Sequence, residues 1–108
     1  MIEVDQAGGA VRLIALYRKP ADVAEFFEHY DKIHTPLVKA IPHLRSLRIS
    51  RVTQSFVGEP GYFLMAEMGF ENSATFAQAM SSRENREAAT DLQRFAAGLV
   101  TLLVVADR

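Results

Sequence analysis

The 108-residue chain contains no cysteine. This absence excludes disulfide bonds, thiol nucleophiles and zinc sites with cysteine ligands, and it fits a reducing, cytoplasmic setting. An excess of charge of one sign is also missing, because 12 Lys and Arg residues oppose 13 Asp and Glu residues. Duplex nucleic acid requires a broad basic surface, so we expect no nucleic-acid partner.

Long hydrophobic runs are missing as well. Residues 102–106 form the longest apolar run near the C-terminus, whereas a bilayer-spanning helix needs about 20 residues. The first residues include Glu3 and Asp5, whereas a secretory signal begins with basic residues followed by an apolar run. We therefore expect a soluble protein with no membrane partner and no export signal.

The composition predicts one folded domain. Hydrophobic residues make up 49% of the chain and charged residues 23%, whereas disordered chains are poor in apolar residues and rich in charge. The length suits a single domain. We assign residues 1–9 to a flexible N-terminal segment and residues 10–108 to the domain.

Hydrophobic patterning predicts four strands and two helical regions. An amphipathic helix begins at Pro20 or Asp22, and Pro36 predicts a break or a kink near His34, with Thr35 capping a short second turn. Strands are predicted over residues 10–18, 44–56, 62–70 and 99–106. The second helical region is predicted from caps at Asn72 or Ser73 and at Ser82, and from an end at Gly98.

The predicted order, β-α-β-β-α-β, is that of a ferredoxin-like α+β fold, in which a four-stranded antiparallel sheet carries both helices on one face. The other face then lies open, although the predicted strands are apolar on both sides. Monomers rarely expose an apolar surface of this size. We therefore predict a homodimer that packs sheet to sheet into an α/β barrel, with a cavity between the subunits.

Several short motifs resemble one known family. An H-x-P-L element at residues 34–37 ends the first helix, and it follows a strand that ends in Y-R-K-P at residues 17–20. In this combination the chain resembles the EthD family of small dimeric α/β-barrel proteins. The resemblance covers nearly the whole chain and includes Phe26, Phe27, Tyr30, Val38, Tyr62, Glu67, Phe70, Phe76, Met80, Ser82, Glu84, Asp91, Leu92 and Phe95.

The resemblance implies a ferredoxin-like subunit, a dimer and a cavity. It points to proteins encoded beside degradation systems for small organic molecules such as ethyl tert-butyl ether. The wider dimeric barrel superfamily includes cofactor-free isomerases, cyclases and decarboxylases, monooxygenases and haem-binding proteins, and the fold does not choose among them. We expect a small hydrophobic or oxygenated organic ligand and no cofactor.

His34 is the main candidate for acid–base catalysis. Imidazole exchanges protons near neutral pH, and this residue lies on the apolar stripe of the first helix, where the helix is predicted to break. A structural role is the alternative, in which the imidazole bonds a backbone carbonyl beside Pro36. Burial would favour the neutral imidazole and a helix C-terminus the cation, so the sequence leaves the direction of its pKa shift open.

Glu67 is the second catalytic candidate, because it is a lone carboxylate in an apolar, central strand. It would act as a base if it faced the cavity, whereas an ion pair with Arg48 or Arg51 on the adjacent strand is the structural alternative. The predicted substrate-binding residues are Tyr17, Tyr30 and Met65.

No metal site is predicted. His29 and His34 are five residues apart and are expected on different faces of a helix, and His43 precedes the second strand. The chain has no metalloprotease motif, glycine-rich phosphate loop or nucleophile elbow. Haem ligation by His34 is kept as an alternative, although no partners for the haem propionates are evident.

Two functions are consistent with these residues. In the first, the cavity of the dimer binds a small organic molecule and His34 moves a proton in a cofactor-free isomerisation, cyclisation or decarboxylation. In the second, the protein is a non-enzymatic accessory or ligand-binding protein of a catabolic pathway, and His34 and Tyr17 only orient the ligand or hold the fold.

Overall fold

A computed structural model describes residues 9–58 and 61–108. The strands are β1 (Val11–Arg18), β2 (Ser46–Arg51), β3 (Tyr62–Phe70) and β4 (Val100–Ala106). The helices are α1 (Val23–His29), α2 (Thr35–Lys39), α3 (Ser73–Met80) and α4 (Arg83–Ala96), with a π-helical turn, Tyr30–His34, between α1 and α2. The predicted flexible segment lies outside the described residues except for Gly9.

The four strands form one antiparallel sheet in the order β2-β3-β1-β4. The two central strands, β1 and β3, pair with each other, while β4 pairs with β1 and β2 with β3. This order and the placement of the helices between the strands confirm the predicted ferredoxin-like α+β fold. Within the described ranges, no helix is long and apolar enough to cross a membrane.

The inner face of the sheet packs against the helices. Ala15 of β1 lies opposite Ala66 of β3, and Tyr17 lies opposite Leu64. Residues that face each other across two strands point to the same side of the sheet. These four residues belong to one buried core together with helical side chains such as Phe26, Tyr30, Ala88 and Leu92.

The open face of the sheet carries the intervening residues. Its apolar members are Ile14, Leu16, Met65, Leu103 and Val105, as the pairing of β1 with β3 and β4 requires. On this face Leu103 is 44% exposed, whereas Ile14 in the middle of the sheet is 8% exposed. One chain therefore leaves an apolar sheet surface in contact with water, as the patterning predicts.

The first helical region does not break at Pro36. Thr35 has φ −58° and ψ −43°, which are helical values, and its N–H donates to the carbonyl of Tyr30, five residues earlier. Pro36 then lies in the first turn of α2, where its missing N–H costs little. The predicted break near His34 is therefore a π-helical turn, and the prediction that Thr35 caps a separate turn is wrong.

The second helical region begins and ends where the sequence predicts. Asn72 caps α3, because its side chain accepts a hydrogen bond from the N–H of Thr75 at 2.9 Å. Ser82 caps α4 in the same way through the N–H of Asn85. Gly98 follows α4 with a φ of +78°, a left-handed conformation that glycine adopts without steric cost.

Strand β2 is shorter than predicted. Its ladder with β3 ends at Arg51, and one further backbone hydrogen bond joins the N–H of Val52 to the carbonyl of Phe63. The predicted continuation to Phe56 is wrong, because Phe56 and Val57 are 90% and 93% exposed. Without a partner strand beyond Phe63, β propensity alone does not extend the ladder.

Candidate functional site

A cavity of about 140 Å³ lies between the inner face of the sheet and the helices. Its walls are mainly apolar and include Ala15 and Ala66 from the sheet and Ala88 and Leu92 from α4. The alanines leave space that larger side chains would fill. This cavity lies inside one chain, whereas the sequence predicts a cavity between two subunits, which stays a prediction.

The polar lining of the cavity comes from Tyr17, Tyr30, His34 and Asn85. Tyr17 is supplied by the end of β1, Tyr30 and His34 by the two ends of the π-helical turn, and Asn85 by the first turn of α4. The Asn85 amide donates to the carbonyl of Met80 at 3.2 Å. The other three residues were predicted from the sequence, and the structure brings them together.

His34 is the acid–base group of this lining, and it is only 5% exposed. Its Nδ1 lies 3.0 Å from Oδ2 of Asp91, and a carboxylate only accepts, so the imidazole N–H donates. Nε2 of His34 forms no hydrogen bond with the described residues, in which every fully buried side-chain nitrogen has a partner. Nε2 is therefore accessible from the cavity.

Asp91 also binds a second imidazole. Nε2 of His29 lies 2.8 Å from Oδ1 and 3.0 Å from Oδ2 of the same carboxylate. The prediction that His29 and His34 lie on different faces is wrong, because the π-helical turn between them has hydrogen bonds that span five residues rather than four. This wider turn rotates residues five apart towards the same side of the helix.

The environment of His34 favours the neutral imidazole. Burial lowers its pKa below the ordinary value of 6.5, although the hydrogen bond and the charge of Asp91 act in the opposite direction. The ring of Phe95 lies 4.9 Å from the His34 ring and 4.7 Å from the His29 ring. At neutral pH, His34 therefore offers a free lone pair on Nε2 that can accept a proton.

Tyr17 and Tyr30 lie beside the imidazole as neutral phenols. Their rings are 5.6 Å apart in an edge-to-face arrangement, and the Tyr30 ring is 5.8 Å from that of His34. Burial raises the pKa of Tyr30 to about 12 and raises the pKa of Tyr17 further, where the charges of Tyr30 and Asp91 also contribute. Both can donate a hydrogen bond to a ligand oxygen at neutral pH.

Glu67 and Met65 lie on the other side of the sheet. Glu67 faces Ile14 across β1 and Arg48 across β2, so its side chain points to the open face together with that of Met65. Its carboxylate lies 3.9 Å from Nη1 of Arg12. The structure thus separates both residues from the cavity and gives Glu67 an ion pair with Arg12, rather than with Arg48 or Arg51.

Asp91 is the functional residue that the sequence interpretation did not assign a role. It lies 57 residues after His34, so no local spacing reveals the contact. A signal was nevertheless present, because Asp91 falls between Ala88, Leu92 and Phe95 on the apolar stripe of α4. A carboxylate at such a position needs a buried partner.

The arrangement of His29, Asp91 and His34 is not a metal centre. In the described part of the chain, no group of three or more His, Cys, Asp or Glu side chains is arranged to hold a metal ion. The imidazole nitrogens instead lie at hydrogen-bond distance from the carboxylate oxygens, which leaves no space for an ion between them.

Comparison with known proteins identifies relatives of this structure. The EthD domain model matches residues 18–98. An EthD family protein from Bacillus halodurans is 37% identical, with 92% of this chain and 99% of that chain covered and a TM-score of 0.85.

Two further structures share the fold at lower identity. A dimeric ferredoxin-like protein from Thermobifida fusca is 19% identical, with 93% of this chain and 92% of that chain covered and a TM-score of 0.68. Hydroxynitrile lyase from Passiflora edulis is 15% identical, with 94% and 95% covered and a TM-score of 0.73. At this identity, the two likenesses show the fold alone.

Proposed function

The chain belongs to the EthD domain family, and we propose that it binds a small, neutral organic molecule in its cavity, where His34 moves a proton. The observation that carries the proposal is the accessible Nε2 of His34 beside Tyr17 and Tyr30 in an otherwise apolar wall. An apolar cavity with a few convergent polar groups is the usual form of a small-molecule site. A base and two phenol donors suit a cofactor-free isomerisation or cyclisation of a neutral substrate.

The volume of the cavity sets the size of the ligand. About 140 Å³ is close to the roughly 150 Å³ of an engineered apolar cavity that binds benzene. A molecule with one small ring or a short branched chain therefore fits.

The lining of the cavity favours a ligand without charge. None of the described Arg and Lys residues lines it, and an unpaired anion is costly to bury. The phenols of Tyr17 and Tyr30 can donate to a carbonyl, hydroxyl or ether oxygen, whereas Nε2 of neutral His34 can accept only from a hydroxyl group. We infer an apolar ligand with one oxygen-containing group.

The haem alternative does not fit this lining. A porphyrin is much larger than benzene, whereas the cavity has a volume of about 140 Å³. Its anionic propionates would also find none of the described Arg or Lys residues in the wall. We therefore derive no step through haem.

Cyclohexanone tests the proposal, because it is a neutral ring of suitable size with one oxygen. It should raise the melting temperature as its concentration increases, whereas the anion cyclohexanecarboxylate should not. His34 should also remove a proton from the carbon beside the carbonyl, and the imidazolium should return deuterium from heavy water. Thermal unfolding measures binding, and NMR of the ketone measures the exchange.

Three variants control this experiment. His34→Gln should keep ketone binding and slow the exchange by about 100-fold or more. Ala88→Leu fills the cavity and should abolish binding, whereas Ala24→Leu makes the same change on the exposed side of α1 and should not. Binding without accelerated exchange would support the accessory ligand-binding alternative, and absence of binding would contradict the proposal.

We also propose that two chains pack open face to open face as a homodimer. The apolar residues of that face would lose contact with water, while the charge of Glu67 is already balanced by Arg12. A face-to-face dimer uses the same surface twice, so one apolar patch covers the other. The Thermobifida fusca protein, which shares the fold and is dimeric, supports a dimer without indicating which face forms it.

Leu103→Glu should convert the dimer into a monomer, because two carboxylates would be buried at the two-fold interface. Analytical ultracentrifugation measures the mass in solution. Val104→Glu is the matched control, because Val104 is the next residue of β4, is 59% exposed and points to the opposite side. A monomeric wild-type protein, or equal effects of both variants, would argue against this interface.

A further inference from the structure

We propose that Asp91 and His29 are positioning residues for His34, such that Asp91 fixes its tautomer and the three side chains hold one extra proton at a time. We call His29, Asp91 and His34 the His-Asp-His cluster. The inference rests on the proposed acid–base role of His34. The inference adds that His29, which is partly exposed, controls how readily the buried His34 takes up a proton.

The geometry makes one carboxylate common to both imidazoles. Oδ2 of Asp91 lies 3.0 Å from Nδ1 of His34 and 3.0 Å from Nε2 of His29. Since a carboxylate only accepts hydrogen bonds, each of these nitrogens carries a hydrogen. His34 is therefore held as the Nδ1–H tautomer, and the lone pair lies on Nε2, which opens to the cavity.

The shared carboxylate limits the charge of the cluster. One added proton makes one imidazolium, which the charge of Asp91 balances. A second proton would leave a net positive charge beside a buried carboxylate, where like charges repel strongly. We therefore infer that protonation of His29 disfavours protonation of His34, and the reverse.

His29 is the member of the cluster that meets water. Its side chain is 34% exposed, whereas those of Asp91 and His34 are 9% and 6% exposed. It borders a surface groove that also contains Asp22, Glu25 and Arg94. On the cavity side, the titratable groups that face His34 are Tyr17 of β1 and Tyr30 of the π-helical turn.

A second groove reaches Asp91 from the outside. It also contains Arg83, Arg86, Glu87 and Arg94 of α4. These groups are common to all variants below.

The test is a pH titration of the nitrogen-labelled protein, followed by long-range proton–nitrogen NMR of the imidazole groups. The chain has only three histidines, so single variants assign every signal. His34 should show the Nδ1–H pattern in the wild-type protein. His43→Asn is the matched control, because His43 has a φ of +69°, which asparagine tolerates.

Substitution of Asp91 and substitution of His29 should shift the titration midpoint of His34 in opposite directions. Asp91→Asn should lower the titration midpoint of His34 by about 1 pH unit or more, and should populate both tautomers, because an amide both donates and accepts. His29→Gln should keep the tautomer and raise the midpoint by roughly half a unit. Should Asp91→Asn not fold, Asp91→Glu must retain the Nδ1–H pattern.

Some results would overturn the inference. A wild-type His34 in the Nε2–H form would do so, as would a midpoint that does not respond to His29→Gln. The spectra are recorded without ligand, so these results would leave cyclohexanone binding untouched. Conversely, if His34 is the Nδ1–H tautomer but the protein does not bind cyclohexanone, only the proposed function is refuted.

Discussion

Phe26→Ala should lower the free energy of unfolding by roughly 3–5 kcal/mol, the usual loss for truncating a buried phenylalanine. Phe26 is 5% exposed, and its ring contacts aromatic rings of β1, β3, the π-helical turn and α4. It stacks on Tyr30 at 5.5 Å and meets Tyr17 edge to face at 5.6 Å. Phe95, which lies against both histidines of the cluster, is 5.5 Å away.

Urea denaturation at fixed protein concentration measures this loss, since a dimer would make stability depend on concentration. Phe56→Ala is the matched control, because Phe56 is 90% exposed in one chain. This substitution should change the free energy of unfolding by less than about 0.5 kcal/mol. Equal effects of the two variants would mean that the aromatic cluster does not hold α1 to the sheet. The loss expected for Phe26→Ala is a large fraction of the roughly 5–15 kcal/mol by which a typical domain is stable.

The fold was predictable because its signals are local. Residues 10–18 are too short and too apolar for a surface helix, and turn residues bound each strand. Asn72, Ser82 and Gly98 mark helix ends through bonds that involve only neighbouring residues. The two faces of β1 follow from alternation alone, which is why the open face was expected.

The π-helical turn was not predictable from the same signals. Pro36 has no N–H to donate within the helix, and it disfavours helical geometry at the preceding residue. The chain can accommodate a proline either by a break in the helix or by a wider, π-helical turn. Contacts of Tyr30 and His34 with Tyr17 and Phe95 favour the wider turn, because it buries both rings. This choice depends on tertiary packing, and it decides where His29 lies.

The candidate site was predictable in part for a related reason. His34, Tyr17 and Tyr30 lie on apolar stripes of elements that the sequence identifies, so their convergence required only the correct fold. Glu67 and Met65 lie on the same central sheet but on the open face. A strand that is apolar on both faces does not reveal which face lines a cavity, so the roles of Glu67 and Met65 stay predictions.

The two buried phenols should make the protein sensitive to alkali, and this is the second large effect we expect. A group whose pKa is raised in the folded state stabilises the fold below its unfolded pKa and loses that contribution as pH rises through the folded pKa. Since burial raises the pKa of Tyr30 from 10.0 to about 12, its contribution should disappear between these values. At about 1.4 kcal/mol per unit, the loss is roughly 2–3 kcal/mol, and Tyr17 adds to it.

Urea denaturation between pH 9 and pH 12, read against the ultraviolet absorbance of ionised tyrosine, should therefore show a falling free energy of unfolding. Tyr30→Phe should flatten this fall, because phenylalanine cannot ionise. Tyr62→Phe is the matched control, since Tyr62 is 41% exposed, and it should leave the slope unchanged. If Tyr30→Phe and the wild-type protein lose stability equally with pH, Tyr30 does not enter the cavity wall as a neutral donor, and a ligand oxygen there must accept its hydrogen bond from Tyr17.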